Sequence, residues 1–576
     1  MKVRLAKKAG FCMGVKRAME LALDATYHCQ DPIYTYGPLI HNPQVLRMLE
    51  NKGIQILDRL EDRHEGTIVI RAHGIPPEEK EKLKQAGFFV IDATCPRVIK
   101  VQAIIRNYTR QGYTPIIVGD HDHPEVIGLL GYSQGSGIVV SDPGQVNGLP
   151  PLEKVIVVAQ TTQDESLFQE VVVGLQKRFP DLLVFNTICH ATHERQTEVK
   201  ALAQNVEGLV IVGGYNSGNT RRLVRIARGV GTPCFQVETE EELDRKKLSR
   251  FKQVGVAAGA STPNWMIRKV VQELESIKGK GEPFWSPVLF RLLRFLLKTN
   301  LLVAFGAACL SLAVARLRQT PLPWIYMAIT FSYIYAMHIL NHLLDSGAAE
   351  YNDPDRSLFY QRNRTLFFSS GIGATLLSLF LTYQLGWKPF LLVAFMSLLG
   401  ILYSFQIVPA VWQRFTSMKK IKDLPASKTL SVALGWGGVT TLIPVLAENQ
   451  PLTVTILIIF LVICSFVYIR SGLFDVLDIQ GDMIVGKETL PILIGEEKTL
   501  LFLKILCLGT MILVALAGLS GLLPLWALGL LIAFGYQGLL LIIYEKKWAL
   551  PGSIFFETLI ESSFILAGLI ALLSQI

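Results

Sequence analysis

No two of the eight cysteines form a C-x-x-C pair: Cys12, Cys29, Cys95, Cys189, Cys234, Cys309, Cys464 and Cys507 stand far apart in a chain of 576 residues. The close-spaced pairs of a structural zinc site are therefore missing. An apolar leader is missing as well, since Met1-Lys2-Val3-Arg4-Leu5 runs directly into a strand pattern. The first domain is expected to stay in the cytoplasm, where disulfides are not expected either. Nowhere does a basic run interleave with aromatics, and the net charge of +9 is mild, so there is no case for a nucleic-acid partner. Charge becomes scarce from about Pro287 onward, where long apolar runs alternate with short charged loops. The mean hydropathy of +0.37 averages two unlike halves.

A chain of this length is too long for one core. Up to about Lys280 it mixes charged and apolar residues as soluble α/β proteins do; beyond Pro287 its pattern is that of a polytopic membrane protein. The expected division is a soluble domain at residues 1–278, a linker at 279–288 containing Gly279, Gly281 and Pro283, and a membrane domain at 289–576.

The soluble half writes one design three times. An apolar run closes on a cysteine from Val3 to Cys12, from Phe88 to Cys95 and from Leu182 to Cys189, and each reads as a short buried strand. A glycine follows 25, 24 and 24 residues later, at Gly37, Gly119 and Gly213, each ending a second strand. Four residues beyond each glycine stands a polar residue, His41, His123 or Ser217, and a third strand then leads to His73, Thr161 or Ser261. Helical patterns such as Lys16 to Asp24 and Glu194 to Asn205 fill the gaps. Strands alternating with helices imply parallel sheets whose functional loops lie beyond the strands' carboxyl ends. Three such units are expected to point Cys12, Cys95 and Cys189 at one centre, ringed by His41, His73, His123, Glu125, Thr161, Ser217, Asn219 and Ser261. The rival reading is a structural duplication whose polar residues cap helices. It accounts for Ser217 and Asn219 but not for a cysteine at all three equivalent positions. His121, His190 and His193 sit off the repeat and read as solvated; Cys29 and Cys234 read as packing residues.

Three thiolates converging from separate units suit a metal or a cluster. A 4Fe–4S cluster held by three cysteines leaves one iron without a protein ligand, free to take a substrate oxygen. Asn216-Ser217-Gly218-Asn219-Thr220 opens a helix, where backbone N–H groups and the helix dipole favour phosphate. With two histidines and two serines this makes a cradle the size of a diphosphate. His123-Pro124-Glu125 puts a carboxylic acid beside it, suited to proton delivery.

These segments carry a specific resemblance. They are Cys12, Ile40-His41-Asn42-Pro43, Arg71-Ala72-His73-Gly74, Ala93-Thr94-Cys95-Pro96, His123-Pro124-Glu125, Gln160-Thr161-Thr162, Cys189 with Arg195-Gln196, Asn216 to Asn219, and Gly259-Ala260-Ser261-Thr262-Pro263. Over nearly all of residues 1–280 the chain resembles the 4-hydroxy-3-methylbut-2-enyl diphosphate reductase (LytB) family. The resemblance implies an oxidoreductase of the last step of the non-mevalonate isoprenoid pathway, which reductively removes a hydroxyl to give isopentenyl and dimethylallyl diphosphates. It implies a 4Fe–4S cluster on Cys12, Cys95 and Cys189, with the substrate hydroxyl on the open iron. By the same resemblance His41, His73, Ser217, Asn219 and Ser261 hold the diphosphate, His123 orients substrate, and Glu125 with Thr161 relays protons. Ferredoxin or flavodoxin is the implied electron donor. Gly218 stands where many members carry serine, so its phosphate contact is through the backbone.

Beyond the linker, nine apolar segments are expected to span a bilayer, centred near Gly306, Tyr333, Ala374, Ser397, Gly437, Ile459, Thr510, Leu531 and Leu566. Even-numbered connections then return to the cytoplasm, carrying Arg356, Arg362, Arg364, Arg414, Lys419, Lys420, Lys422, Lys487, Lys498, Lys546 and Lys547. The outer loops carry chiefly Arg316, Arg318 and Lys388, as the positive-inside rule asks. A multi-pass protein of the cell's inner membrane is expected, its N-terminal domain in the cytoplasm. Asn341 and Asp345 end the second span, and Asp475, Asp478 and Asp482, spaced three and then four, line one helix face at the end of the sixth. Parity puts both clusters on one membrane face, where they would bind Mg2+ and through it a prenyl diphosphate. The bland alternative is a set of acids solvated in loops.

This half resembles the UbiA superfamily of intramembrane prenyltransferases. Asp478-Ile479-Gln480-Gly481-Asp482, followed by Gly486-Lys487-Glu488-Thr489-Leu490-Pro491, matches its second aspartate motif. The first motif is altered: His342 replaces an acid beside Asn341, and Ala349 falls where a further aspartate is expected. The resemblance implies that a metal-bound diphosphate leaves and the allylic cation attacks an acceptor, the lipid tail lying between helices. The expected whole is an α/β soluble domain of three pseudo-repeated parallel-sheet units around a central iron–sulfur site, fused to an all-α polytopic membrane domain of about nine transmembrane helices. Its expected function is that of a bifunctional isoprenoid enzyme; the alternative is an active reductase tethered by a catalytically silent UbiA-like membrane anchor.

Overall fold

A computed structural model describes residues 1–29, 32–58, 65–283, 285–321, 324–344, 351–402, 427–485, 489–547 and 553–574. The chain divides into two units, Met1–Glu282 and Pro283–Ile576.

Among its described residues the first unit holds twelve short strands. They are β1 (Lys2–Leu5), β2 (Ile33–Tyr36), β3 (Ile54–Leu57), β4 (Thr67–Ile70), β5 (Phe89–Asp92) and β6 (Thr114–Val118). The remainder are β7 (Ile138–Val140), β8 (Val155–Ala159), β9 (Leu183–Phe185), β10 (Gly208–Val212), β11 (Cys234–Val237) and β12 (Gln253–Ala258). They pair only in parallel, in three four-stranded sheets of order β1-β12-β10-β11, β3-β2-β4-β5 and β7-β6-β8-β9. Strands β4, β8 and β10 are buried along their whole length. Their continuous Val and Ile runs suit sheets covered on both faces by helices.

The repeat read from the sequence is present, but its units are not the sheets. Each cysteine-bearing strand joins the sheet of the unit before it. Strand β5 pairs with β4, β9 pairs with β8, and β1, the first strand of the chain, pairs with β12, the last. The cysteine strands are therefore sheet edges, not the buried strands expected: Phe89 is 64% and Val184 39% exposed. Four apolar residues in a row report that a strand forms, not how many neighbours it has. Each sheet also gains an outer strand, β3, β7 or β11, that the repeat did not reveal.

The threefold relation is written in hydrogen bonds. The N–H groups of Gly37, Gly119 and Gly213 donate to the carbonyls of Leu57, Val140 and Val237, which end those outer strands, at 2.9, 3.1 and 2.9 Å. Gly37 (φ +67°) and Gly213 (φ +152°) hold conformations that L side chains rarely adopt, so glycine is what lets the chain leave the strand and enter the site loop.

In the second unit all nine expected centres lie on helices. Six helices are long and apolar enough to cross a membrane: Arg364–Gln384, Ser427–Ala447, Val454–Leu477, Glu496–Leu519, Leu525–Glu545 and Ile554–Leu573. A seventh span arises if Ser286–Lys298 and Leu301–Leu317, bent by 73° to each other, count as one. The nine expected spans are thus six, or up to seven, among the described residues. Trp324–Leu344 is long enough, but its Trp, Tyr, His and Asn residues dilute its apolar character. Trp387–Leu402, at 16 residues, reaches about 24 Å at the helical rise, short of a hydrocarbon core of about 30 Å. Leu376, Leu508, Leu516 and Ile532 face outward, whereas Thr330, Thr382 and Thr440 are fully buried. Each of these threonine hydroxyls donates to the carbonyl one turn earlier at 2.8 Å. Apolar residues outside and self-satisfied polar groups inside are what a lipid solvent demands.

Candidate active site

Each of the three cysteines stands immediately before a helix: Cys12 before Met13–His28, Cys95 before Pro96–Arg110 and Cys189 before His190–Gln204. Each donates its backbone N–H to the loop leaving the third strand, Cys12 to Ala260 O (3.1 Å), Cys95 to Ala72 O (2.9 Å) and Cys189 to Thr161 O (2.8 Å). They are held alike, and Cys95 lies within electrostatic reach of both Cys12 and Cys189. Burial, and after it the nearby Cys12 and Cys189, push the Cys95 thiol up. Arg195 lies within electrostatic reach of Cys12 and Cys189, and its guanidinium holds Ala258 O at 3.2 Å and Gly10 O at 2.7 Å. A Cβ on Gly14 would lie 2.5 Å from Cys95 Sγ, so a missing side chain lets the first helix close on the second cysteine. Three thiols from three sheets around a cradle cleared of Cβ atoms fit a sulfur-ligated cluster better than a lone four-coordinate ion.

Beside the cysteines the rings of His41, His73 and His123 pack with centroids 4.6, 5.4 and 5.6 Å apart. One nitrogen from each lies within 4.8 Å of the other two. His41 Nε2, His73 Nδ1 and both amide atoms of Asn219 are buried without a hydrogen-bond partner. Such a set is costly unless a ligand satisfies it. His123 Nδ1 accepts the Glu125 N–H at 3.1 Å, which leaves Nε2 as the N–H donor of that ring. Ser217 Oγ caps the helix Gly218–Gly229 by accepting the Thr220 N–H at 3.3 Å, and Ser261 Oγ donates to His41 O at 3.2 Å. Burial lowers all three imidazoles, His73 most strongly and His123 to about 4. Imidazoles lowered in this way are neutral near pH 7, and a polyanion is the ligand that would recharge them.

Glu125, 2% exposed, clasps Thr161 with both oxygens. Burial raises its carboxyl above the ordinary carboxylate value, against the lowering effect of the Thr161 bonds. Arg222, which sequence reasoning missed, ties the Ser217 helix to these loops. Its guanidinium reaches Asp120 Oδ2 at 2.7 Å, Gln163 Oε1 at 3.1 Å and Thr162 Oγ1 at 3.3 Å. A local signal existed, a cation one turn inside the helix that opens the phosphate loop. Asp120, however, lies 102 residues away. Gly218 lies against this group: a Cβ there would meet Arg222 at 3.2 Å and His123 at 3.6 Å. His121, His190 and His193 are exposed at their side chains, as expected of residues off the repeat.

The membrane unit brings together part of its expected acidic site. Asp345, and Gly486-Lys487-Glu488 of the second motif, lie outside the described residues. Asn341 sits in the last turns of Trp324–Leu344, with Oδ1 buried and unpartnered. Asp475 and Asp482 are 3% and 1% exposed. The helix that was to carry all three acids breaks at Asp478 (φ −98°, ψ 4°), between Val454–Leu477 and Ile479–Ile484. The Asp482 N–H still reaches Asp478 O at 3.1 Å, so the face survives the break. Asn352 Nδ2 donates to Asp482 Oδ1 at 3.3 Å, joining the segments that follow the second and sixth expected spans. Lys428, missed in the sequence, stands between the acids, its Nζ 2.8 Å from Asp475 Oδ1 and 3.7 Å from Asp482 Oδ2. The Thr429 hydroxyl donates to Asp475 Oδ2. The ammonium is a stand-in ion: a small cation fits between these carboxylates. Its sequence signal was a lone cation opening an apolar span.

Residues 3–275 match the family model described as LytB protein, and residues 300–556 that of the UbiA prenyltransferase family. The 4-hydroxy-3-methylbut-2-enyl diphosphate reductase of Aquifex aeolicus is 45% identical over 276 residues, covering 47% of this chain and 96% of its own length. That of Geobacter sulfurreducens is 42% identical over 280 residues, covering 49% and 99%. Among solved structures, a UbiA homolog from Archaeoglobus fulgidus bound to GPP and Mg2+ aligns with 49% of this chain and 98% of its own at 18% identity, with a TM-score of 0.33. Through residues 3–275 the chain belongs to the 4-hydroxy-3-methylbut-2-enyl diphosphate reductase (LytB) family, and it carries behind that domain a second one that matches the UbiA prenyltransferase family.

Proposed function

We propose that residues 1–278 reductively remove the hydroxyl of 4-hydroxy-3-methylbut-2-enyl diphosphate to give isopentenyl and dimethylallyl diphosphates. What supports this reading is that Cys12, Cys95 and Cys189 each stand at a helix N-terminus, that buried polar atoms of His41, His73 and Asn219 lack a partner, and that Glu125 and Thr161 form a buried carboxyl–hydroxyl pair. A 4Fe–4S cluster on Cys12, Cys95 and Cys189 would supply an iron for the substrate hydroxyl and an entry point for electrons, delivered by a ferredoxin or flavodoxin. His41, His73, Ser217, Asn219 and Ser261 bind the diphosphate, and the backbone of Gly218 closes the phosphate loop. His123, with Nδ1 engaged by Glu125 N–H, donates from Nε2 and orients the substrate.

Burial raises the Glu125 carboxyl and so favours its acid form. Its Oε1 accepts the Thr161 N–H and its Oε2 the Thr161 hydroxyl, so a proton relayed by Glu125 passes from Oε2 to Thr161 Oγ1 as that hydroxyl turns away. The hydroxyl proton of Thr161 is thereby freed for the departing oxygen. Two electrons and two protons enter and water leaves. Anaerobic purification of the full chain tests the reading: about four iron and four sulfide per chain, with turnover of the diphosphate under a chemical reductant, are expected. A cluster-loaded chain without turnover overturns it.

We propose further that residues 289–576 transfer prenyl groups from a prenyl diphosphate in the inner membrane, with the N-terminal domain in the cytoplasm. Asp475, Asp478 and Asp482, with Asn341 and Asp345 of the altered first motif, would hold Mg2+ to neutralise the leaving diphosphate. The ammonium seated between Asp475 and Asp482 supports this reading. A silent membrane anchor is favoured instead by His342, whose ring packs 4.2 Å from that of Tyr360 where the family pattern asks for an acid. Membranes assayed for Mg2+-dependent prenyl transfer with a panel of acceptors decide: turnover lost on Asp478→Ala supports the transferase, and no turnover in the parent chain leaves the anchor.

A further inference from the structure

Each carboxylate of the membrane unit's acidic pair is already met by a group of the chain itself. Asp475 Oδ1 meets Lys428 Nζ at 2.8 Å and Asp475 Oδ2 meets the Thr429 hydroxyl. Asp482 Oδ1 meets Asn352 Nδ2 at 3.3 Å, and Asp482 Oδ2 lies 3.7 Å from the same ammonium. Both carboxylates are all but closed to solvent, whereas the Lys428 side chain is 42% exposed. Asn352 is pressed onto the motif, since a Cβ on Gly481 would lie 1.9 Å from its Oδ1.

We infer that Lys428 is a tethered counter-ion that a divalent cation must displace, and that the displaced ammonium then binds the diphosphate arriving with the metal. The inference rests on the metal-dependent reading of this domain and adds the rule by which its ligands enter. A divalent ion needs the oxygens that Lys428 now holds, and two cations cannot share them without mutual repulsion. Two buried carboxylates left without a cation are equally unfavourable, so one cation replaces the other. Thr429 and Asn352 do not compete for the inner position; they stay as outer donors that orient the carboxylates. The lysine stem is flexible and its head is a point charge, so on release it turns toward the nearest anion, a phosphate oxygen. Metal alone must evict the ammonium with nothing to receive it, and diphosphate alone meets an ammonium already paired. Together they bind better than either alone, and by linkage each tightens the other by the same factor.

The test uses the full chain in lipid nanodiscs, with Mn2+ as the probe read from the resonance of the free aquo ion. Asp475→Asn combined with Asp482→Asn gives the blank for Mn2+ bound elsewhere in the chain. Without diphosphate, Lys428→Met is expected to bind Mn2+ at least about tenfold more tightly than the parent chain. Lys428→Arg keeps the charge and should resemble the parent. Radiolabelled inorganic diphosphate should be retained by the parent only together with Mn2+, and lost from Lys428→Met despite its tighter metal. Lys428→Gln, checked for a monodisperse particle, guards against a folding defect peculiar to the methionine. Mn2+ affinity in Lys428→Met and Lys428→Gln no higher than in the parent overturns the inference. Mn2+ bound by none of these chains above the blank overturns the metal-dependent reading as well.

Discussion

Glu125 holds Thr161 at two points, the backbone N–H on Oε1 at 2.6 Å and the hydroxyl on Oε2 at 2.9 Å. The backbone bond fixes which oxygen titrates, and burial fixes that it does so above the ordinary carboxylate range. Glu125→Gln should therefore lower turnover by about 10²- to 10⁴-fold while iron content stays unchanged. The parent's rate should fall as pH rises through the raised Glu125 value, because the acid form is then lost, and Glu125→Gln should lack that limb. Linkage gives stability the same sign: the folded chain binds this proton more tightly than the unfolded one, so its contribution declines as pH rises through the folded value. Pre-steady-state rates across pH, with iron analysis of each variant, check this; full turnover in Glu125→Gln refutes the relay.

The histidine cluster predicts a proton-linked ligand. Burial lowers His41, His73 and His123, His123 to about 4. Diphosphate should tighten as pH falls from about 7 toward 6, and calorimetry in buffers of different ionisation enthalpy should register proton uptake. Without added diphosphate these groups titrate lower folded than unfolded, so stability should decline as pH drops from about 6.5 toward 4. His73→Ala should weaken diphosphate by roughly 10- to 100-fold, the worth of a charge-assisted bond. Binding without proton uptake would show that the imidazoles remain neutral donors.

Gly14 predicts a steric effect on cluster loading. A methyl group there would lie 2.5 Å from Cys95 Sγ, and the sulfur must shift. Gly14→Ala should lower iron per chain, as should serine at Cys12, Cys95 or Cys189. Gly174→Ala is the control: its Cβ would meet Val146 at an ordinary 3.5 Å inside a helix, and stability should rise by about 0.5–1 kcal/mol. Cys29→Ser should also keep its iron. Full loading of Gly14→Ala would mean that the cysteine has slack.

Arg222 predicts a positioning role. Its side chain is 6% exposed and its partner Asp120 46%, so the pair is only half buried. Arg222→Met should cost about 2–3 kcal/mol, nearer the value of charged hydrogen bonds than of a fully buried pair. Because Arg222 fixes the Ser217 helix against Thr162 and Gln163, KM should rise more than kcat falls, and Arg222→Lys should recover stability without recovering KM. Equal rescue of both by lysine would mean that charge alone matters.

Much of this was legible in the chain. A cysteine after each apolar run, a glycine at a fixed interval and a polar residue four positions on appear in order, because a parallel sheet delivers every strand end to the same side. The nine helix centres followed from apolar runs, since lipid permits little else. The grouping of strands was not legible. Strand β1 sits beside β12 across some 250 residues, and periodicity describes a strand's faces without naming its neighbour.

The sequence by itself determined the composition of both sites: three thiols, three imidazoles, a carboxyl with a hydroxyl, and a second aspartate motif ending an apolar helix. Those follow from residue type and local spacing. Only the tertiary structure decided that Arg222 joins Asp120, that Arg195 grips Gly10 across 185 residues, and that Lys428 fills the space between Asp475 and Asp482. These are meetings of charges far apart in the chain. Their partners are chosen by which loops the packed elements bring within about 3 Å, a distance at which desolvation leaves a buried charge no substitute for its counter-ion.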